Sequence, residues 1–442
     1  MSFNIKELIN IPMEWTTIRV GDIAKINAQS ITKKDTLNTI QYIDISSVST
    51  HKMEAPKTLS FSEAPSRAKR KLKNNDFIIS TVRPNLKQFT FITKADANLI
   101  CSTGFCVISA KDENIAWYLY AFLTSDIFTN YLVKIADGGA YPAFNSSEIE
   151  NAIIPFPPEE ELIKISNWYK TLFFKITLNT QTNQTLEQIA QAIFKHWFID
   201  FAPVHAKANA LARGETIEQA ELAAMACLSG KTAEKITALK TQDPTAYHQL
   251  QQTAAAFPSE FVETEMGEVP KGWGYKFLNE VCKIAYGKNL PTKQLLDQGY
   301  PVFGGNGIIG YFDRYLYEQP QTLISCRGAA SGKIMYSAPK SFITNNSLII
   351  ESNELLDYFY IYEYLKNKDI TPYISGSAQP QITISSIEKI KILLPQEFIL
   401  NRYSSLVSSL YNKIYLNNKN NELLAKTRDQ LLPKLLNGEV EL

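Results

Sequence analysis

Apolar residues recur on an alternating three–four spacing at Leu162, Ile165, Tyr169, Leu172, Ile176, Leu186, Ala190, Ile193 and Trp197. The spacing returns at Leu400, Tyr403, Val407, Leu410, Ile414, Leu424, Leu431 and Leu435. This is the heptad stripe of a long amphipathic helix. The two stripes are offset by 238 residues, a multiple of seven, so they share one register. Polar breaks fall at equivalent places, Asn179 and Asn183 in the first stripe and Asn417 and Asn421 in the second. Two separate helices, each lying on its own domain, would show the same stripes. The asparagines favour an antiparallel pair: Asn179 opposite Asn421, Asn183 opposite Asn417, Ile165 by Leu435 and Tyr169 by Leu431. Asparagine in such a seam costs stability but fixes register. Arg428 then falls opposite Leu172, a blemish. About 40 residues of helix make a rod roughly 60 Å long, the length of a spacer.

Upstream of each stripe the pattern changes to short apolar, β-branched runs. Strands are predicted at Gln41–Ile45, Phe77–Val82 and Leu99–Ser109, and at Val302–Phe303, Thr322–Ser325 and Phe342–Ile350. One helix is expected in each set, near Ile115–Val133 and near Leu355–Lys366. The sets are copies of one unit. Trp15 aligns with Trp273, Val20 with Leu278, Asp22 with Glu280, Ile23 with Val281 and Lys25 with Lys283. Asp76–Arg83 resembles Thr322–Gly328, and the segments ending at Pro157 and Pro395 also align. The expected organisation is therefore α+β: a globular unit over 1–157, a long helix over 158–200, a connector over 201–272, a second unit over 273–395 and a second long helix over 396–442. The connector is rich in Ala, Glu and Gln, with Pro and Gly punctuation.

Composition narrows the chemistry. The 442 residues carry 45 Lys plus Arg against 44 Asp plus Glu, a formal net charge of +1. That neutrality is a cancellation: residues 15–157 hold 16 basic and 13 acidic side chains and residues 273–395 hold 12 and 10, while 158–272 is acidic. The five cysteines form no CxxC pair, and no run of 18 apolar residues exists, which points to a reduced, cytoplasmic, non-membrane protein. Catalytic motifs fail in turn. Gly305-Asn-Gly307-Ile-Ile-Gly310 runs into Tyr311 and Pro320 without a helix to hold a phosphate, so it reads as a glycine turn. Gly230-Lys231-Thr232 has Met225 where a phosphate loop needs its first glycine. No Asp/Glu-x-Lys and no Asn/Asp-Pro-Pro-aromatic sequence occurs, and the four histidines lack paired-ligand spacing. His196, beside Trp197, reads as a packing or surface residue.

What remains is recognition chemistry. From Arg67 to Lys87 there are seven basic residues against one acid, Asp76. A solvated face would explain any charge run, but this one can also neutralise several phosphates. Its candidates are Lys69, Arg70, Lys71, Lys73, Arg83, Asn85 and Lys87, with Arg70 and Arg83 read as phosphate contacts. The second copy offers Arg327 and Lys333 with the amides Asn306, Asn345, Asn346, Gln379 and Gln381. Asn and Gln can read adenine edges, and Arg and Lys can read guanine. Turn chemistry is the alternative for each amide. Ala140-Tyr141-Pro-Ala-Phe-Asn145 and Ala378-Gln379-Pro-Gln381-Ile-Thr383 occupy equivalent places with different side chains, so Tyr141 and Asn145 join the candidates. No residue is assigned as catalytic or metal-ligating.

In this duplicated architecture, and in Gln41-Tyr-Ile-Asp-Ile, Arg83-Pro-Asn, Pro301-Val-Phe-Gly-Gly-Asn-Gly, Pro-Lys-Gly-Trp273 and Leu431-Leu-Pro-Lys-Leu-Leu-Asn-Gly438, the chain resembles the specificity (S) subunits of type I restriction–modification systems. The resemblance covers nearly all of the sequence. It implies two tandem target-recognition domains, each α/β and globular, separated by two long helices forming an antiparallel coiled coil. It implies a partner set of double-stranded DNA, two methyltransferase subunits and restriction motor-nuclease subunits. S-adenosylmethionine, ATP and Mg would be used by those partners, and no cofactor would be bound by this chain. The rivals are a stand-alone methyltransferase or nuclease and a duplicated protein-interaction scaffold. Readers as weakly charged as these imply that the methyltransferase partners supply much of the phosphate contact.

Overall fold

The computed structural model describes residues 3, 4, 11–32, 35, 37–376, 379–440 and 442. The chain divides into two compact units, residues 1–181 with 418–442, and residues 182–417. Each unit combines a globular α+β part with portions of two 40-residue helices, Glu159–Phe198 and Glu397–Leu436.

In the first unit, Thr16–Arg19 pairs antiparallel with Ile153–Phe156, closing the globular part near the start of the first long helix. One sheet runs in the order Ala24–Ile26, Phe105–Ala110, Phe77–Ser80, Phe89–Phe91, with antiparallel neighbours throughout. A second runs Lys57–Ser60, Thr39–Ile43, Leu99–Ser102, Ala68–Lys71, with one parallel pair in the middle. The predicted strand Leu99–Ser109 is thus two strands, because Thr103-Gly104 turns the chain and sends the halves to different sheets. The single helix expected over Ile115–Val133 is also two, Glu113–Leu123 and Asp126–Ile135. Thr124 Oγ1 donates back to the Tyr120 carbonyl at 2.6 Å, while Ser125 caps the next helix by accepting from the Phe128 N–H. Hydroxyls that bond local backbone in this way end helices.

The second unit repeats this plan in reduced form. Gly274–Phe277 pairs with Lys391–Leu394. The first sheet is Lys283–Tyr286, Ser347–Glu351, Thr322–Ser325, Ile334–Tyr336; the second keeps Gly307–Phe312, Tyr300–Gly304 and Phe342–Ile343, again with one parallel pair. The helix Tyr358–Lys366 and the one-turn helix Ile384–Ile387 follow. Residues 202–256 hold four helices, Ala202–Ala212, Ile217–Ser229, Ala233–Gln242 and Pro244–Ala256, and the hairpin Phe261–Thr264/Gly267–Pro270 comes next. The acidic stretch is therefore folded, with a small core of its own around Ala224, Met225, Ile236 and Ala254. Gly230 ends one of these helices in the left-handed conformation and Thr232 begins the next, a turn role. Lys207 reinforces the block, its buried ammonium donating to the carbonyls of Ala254, Ala255 and Phe257 at the end of the fourth helix.

The long helices run antiparallel in the seam the heptads predict. In the first unit, Leu162, Ile165 and Tyr169 share a core with Leu432, Leu435 and Leu436. In the second, Ala190, Phe194 and Trp197 share one with Leu400, Tyr403 and Val407. Asn179 Nδ2 donates to Asn421 Oδ1 at 2.8 Å in the first unit, and Asn417 Nδ2 donates to Asn183 Oδ1 at 2.8 Å in the second. Arg428 is not a blemish. It is 8% exposed, donates to Asp429 at 2.8 Å, and lies in a polar nest with His51, Tyr120 and Tyr169 that the apolar stripe did not reveal. His196, on the first long helix, meets Cys227 of the four-helix block at 3.3 Å.

The buried amides make a clear prediction. Asn183→Leu alone leaves Asn417 unpaired and lowers stability by about 1–3 kcal/mol. The double variant with Asn417→Leu recovers most of that loss. Urea denaturation of the four species of this cycle measures both effects.

Candidate nucleic-acid interface

The polar candidates of the two repeats sit on one shared backbone frame. In the first repeat the Phe144 N–H donates to the Thr81 carbonyl at 3.0 Å and the Arg83 N–H to the Pro142 carbonyl at 2.7 Å. In the second, the Ile382 N–H donates to the Cys326 carbonyl at 3.0 Å and the Gly328 N–H to the Pro380 carbonyl at 3.0 Å. Val82 bridges Ala143 as Arg327 bridges Gln381, and Asp137 bridges Ala143 as Ser375 bridges Gln381. The segments matched by sequence are thus matched in geometry, although Ala378 lies outside the described residues. Tyr141 and Gln379, both exposed, take equivalent places.

In the second repeat this frame gathers most of the candidates. Lys333 Nζ donates to Asn306 Oδ1 at 2.6 Å. The Lys333 carbonyl accepts from Ser325, next to Cys326, whose own N–H donates to the Asn346 carbonyl at 2.9 Å. Arg327, Asn346, Gln379 and Gln381 are exposed around this point, and Asn345 is half-buried. Sequence reasoning missed Lys288. It is exposed, and its carbonyl accepts from the Asn345 N–H at 3.1 Å. The signal was Gly287 before it: a side chain there would collide with the backbone of Ile343 and Thr344. The Gly305–Gly310 motif lies at a hairpin tip and along its return strand, the glycine turn expected of it, with Ile308 and Ile309 exposed beside Asn306.

The first repeat divides its candidates. Arg83, Asn85 and Tyr141 come together: the Arg83 guanidinium lies 4.2 Å from the Tyr141 ring centroid, and Asn85 is exposed in the turn that follows Arg83. Asn145 is a turn residue, its side chain accepting from the Ser147 N–H at 3.0 Å. Lys69 is exposed on the strand Ala68–Lys71, whereas Arg70 is half-buried on it. Lys71 pairs with Asp35, whose carboxyl that contact and two hydrogen bonds from Thr32 hold down to about 2. Lys87 pairs with Asp126 at 2.6 Å. Lys73 is exposed beyond the strand's end, where its N–H donates to Asp76; burial raises that carboxyl above its ordinary range. The run that reads as one patch in sequence is therefore spread along a strand and partly neutralised.

Among the described residues no group of three His, Cys, Asp or Glu side chains is placed to hold a metal ion, and no helix is long and apolar enough to cross a membrane. A duplicated α+β frame with differing polar side chains, mounted on paired long helices, defines a tandem recognition protein. Residues 12–188 and 270–426 match the type I restriction modification DNA specificity domain. The chain is 33% identical to the HindI specificity subunit of Haemophilus influenzae, over 97% of this chain and 100% of that protein. It is 26% identical to the MjaIX specificity subunit of Methanocaldococcus jannaschii, over 79% of this chain and 75% of that one. A solved type I S subunit from M. genitalium shares the fold, with a TM-score of 0.51 at 16% identity over 96% of each chain. The chain belongs to the type I restriction–modification DNA specificity family, and its role is sequence-specific DNA recognition.

The pairings above separate the lysines. Lys69→Ala reduces the slope of log affinity against log salt by about 1, the value for one lost phosphate contact. Lys71→Ala and Lys87→Ala leave that slope unchanged, since their charges already face Asp35 and Asp126. Titrations of the assembled complex on its target duplex between low and moderate salt compare the three.

Proposed function

We propose that the chain reads a bipartite duplex site, one half with each repeat, and carries the methyltransferase and motor-nuclease subunits that perform all the chemistry. The observation behind this reading is the shared frame at Thr81–Arg83/Pro142–Phe144 and Cys326–Gly328/Pro380–Ile382, which holds different side chains in the two repeats. A frame copied with its side chains changed suits two readers of unlike half-sites. Methylation of adenine with S-adenosylmethionine, and cleavage with ATP and Mg, would then be partner activities, with this chain binding none of those cofactors.

The long helices support a carrier role for two copies of one partner. Leu178 is 56% exposed and Leu416 is 52% exposed, and the two are separated by the 238-residue offset of the repeat. An exposed leucine alone needs no explanation. The same exposed leucine in both copies of a helix suits two equivalent docking points.

Replacing residues 1–157 with the matching segment of another specificity subunit, followed by genome-wide mapping of methylated adenines, tests the reading. One half of the motif is expected to change while the other persists. Change in both halves, or in neither, would overturn it, as would turnover by the isolated chain supplied with S-adenosylmethionine and Mg²⁺. In the same complex, Leu178→Glu reduces the bound methyltransferase from two copies to one, and adding Leu416→Glu removes the second, as native mass spectrometry would record.

A further inference from the structure

Two of the lysines and arginines of the first repeat have a left-handed backbone, Arg83 and Lys87, and of the two Lys87 is tied to Asp126 while Arg83 has no carboxylate partner among the described residues. Arg83 takes φ 49° and ψ 61°, in the left-handed region, immediately before Pro84. Proline disfavours helical conformations in the residue ahead of it, and a left-handed backbone is strained for residues other than glycine, asparagine and aspartate. The equivalent position of the second repeat is Gly328, at φ 76° and with open space around its missing side chain. One frame therefore accepts glycine in one copy and keeps a strained arginine in the other. Strain retained where a relaxed residue would serve points to a side chain that is needed.

That side chain is also oriented. The guanidinium lies over the Tyr141 ring at 4.2 Å, and Nη2 donates to the Ala140 carbonyl at 3.2 Å. Tyr141 is 66% exposed and Arg83 is half-buried, so the stack lies at the surface with part of the guanidinium open to solvent. Among the described residues no carboxylate forms an ion pair with Arg83. A guanidinium has five N–H donors, and spending one on Ala140 leaves an edge with two parallel donors.

We propose that Arg83 is a specificity-determining residue of the first repeat, presenting that edge to O6 and N7 of a guanine in the major groove, with Tyr141 as its positioning residue. This rests on the bipartite reading above and deepens it. A phosphate can be clamped by a guanidinium fork but is held as well by a lysine's point charge, and it is the same at every base pair. Bidentate recognition of a base needs the plane held. Arg83 thereby parts from the phosphate role that its place in the basic run first suggested.

The test uses the assembled methyltransferase complex with Arg83→Gly, Arg83→Lys and Tyr141→Ala. The glycine variant adopts the residue of the sister repeat, so the frame is kept. Arg83→Lys keeps the charge and loses the rigid planar fork and its stack on Tyr141. Both are expected to relax discrimination at a single G·C pair, in one half of the methylated motif, by tenfold or more, with the other half unchanged. Arg83→Lys is expected to keep the wild-type salt slope of binding, and Tyr141→Ala to relax the same position more weakly. Wild-type discrimination at every position in Arg83→Lys, or a smaller salt slope as the sole change in Arg83→Gly, would overturn the assignment while leaving the bipartite reading intact. A wild-type complex whose methylated motif is not divided into two parts would overturn that reading, and the assignment with it.

Discussion

An amide side chain placed in an apolar helix seam loses its water, and left unpaired it costs about 1–3 kcal/mol. Each long helix carries two of them, and one register satisfies all four: Asn179 with Asn421 and Asn183 with Asn417, each at 2.8 Å. Sliding one helix past the other by a heptad would keep leucines facing leucines but strand the amides. The apolar stripe thus supplies the attraction, and the asparagines select which of several similar pairings is adopted. In each unit the globular part is packed on the helices so fixed. Tyr169 and Phe173 enter one core beside Trp117 and Tyr120, and Tyr403 and Tyr411 enter the other beside Tyr360 and Tyr362.

On those supports the repeats keep their backbone and change their side chains. The carbonyl of Pro142 or Pro380, a residue with no N–H of its own, receives the chain at Arg83 or Gly328 with nearly the same geometry. Conserving the frame keeps the position of the reading loops while the residues on them vary. At this place one copy carries a left-handed arginine stacked on a tyrosine, and the other carries a hairpin tip, Lys333 and a group of amides.

The parts of the fold legible in sequence were those with a period. A heptad stripe extends over 40 residues, so its register, its partner and its direction could be read from Ile165, Leu435 and the four asparagines. Short strands carry no such redundancy. Leu99–Ser109 is apolar over most of its length, and the Thr103-Gly104 turn divides it between two sheets. The break at Thr124-Ser125 depends on hydroxyls bonding locally, a choice that composition leaves open. Arg428 was misread for a related reason. Heptad logic sees the residue opposite, Leu172, but not His51 and Tyr120, which the globular part brings to the same place. In the candidate site, charge was legible and availability was not. Nothing near Lys71 in the chain announces Asp35 as its partner, nor Asp126 as that of Lys87.

Those partners change the physical problem that recognition has to solve. The first globular segment has an excess of only three positive charges and the second of two, and ion pairs such as Lys71–Asp35 and Lys87–Asp126 fix where part of that cancellation takes place. Non-specific affinity grows with the number of phosphates neutralised and falls steeply with salt. A reader with few free cations therefore has little non-specific binding with which to mask a mismatch, and more of its binding free energy must come from contacts that differ between bases. Such contacts are directional, and a directional contact is only as selective as its donor is fixed. Weak charge and rigid side-chain placement are then two consequences of one requirement, and the role proposed for Arg83 is its most direct expression.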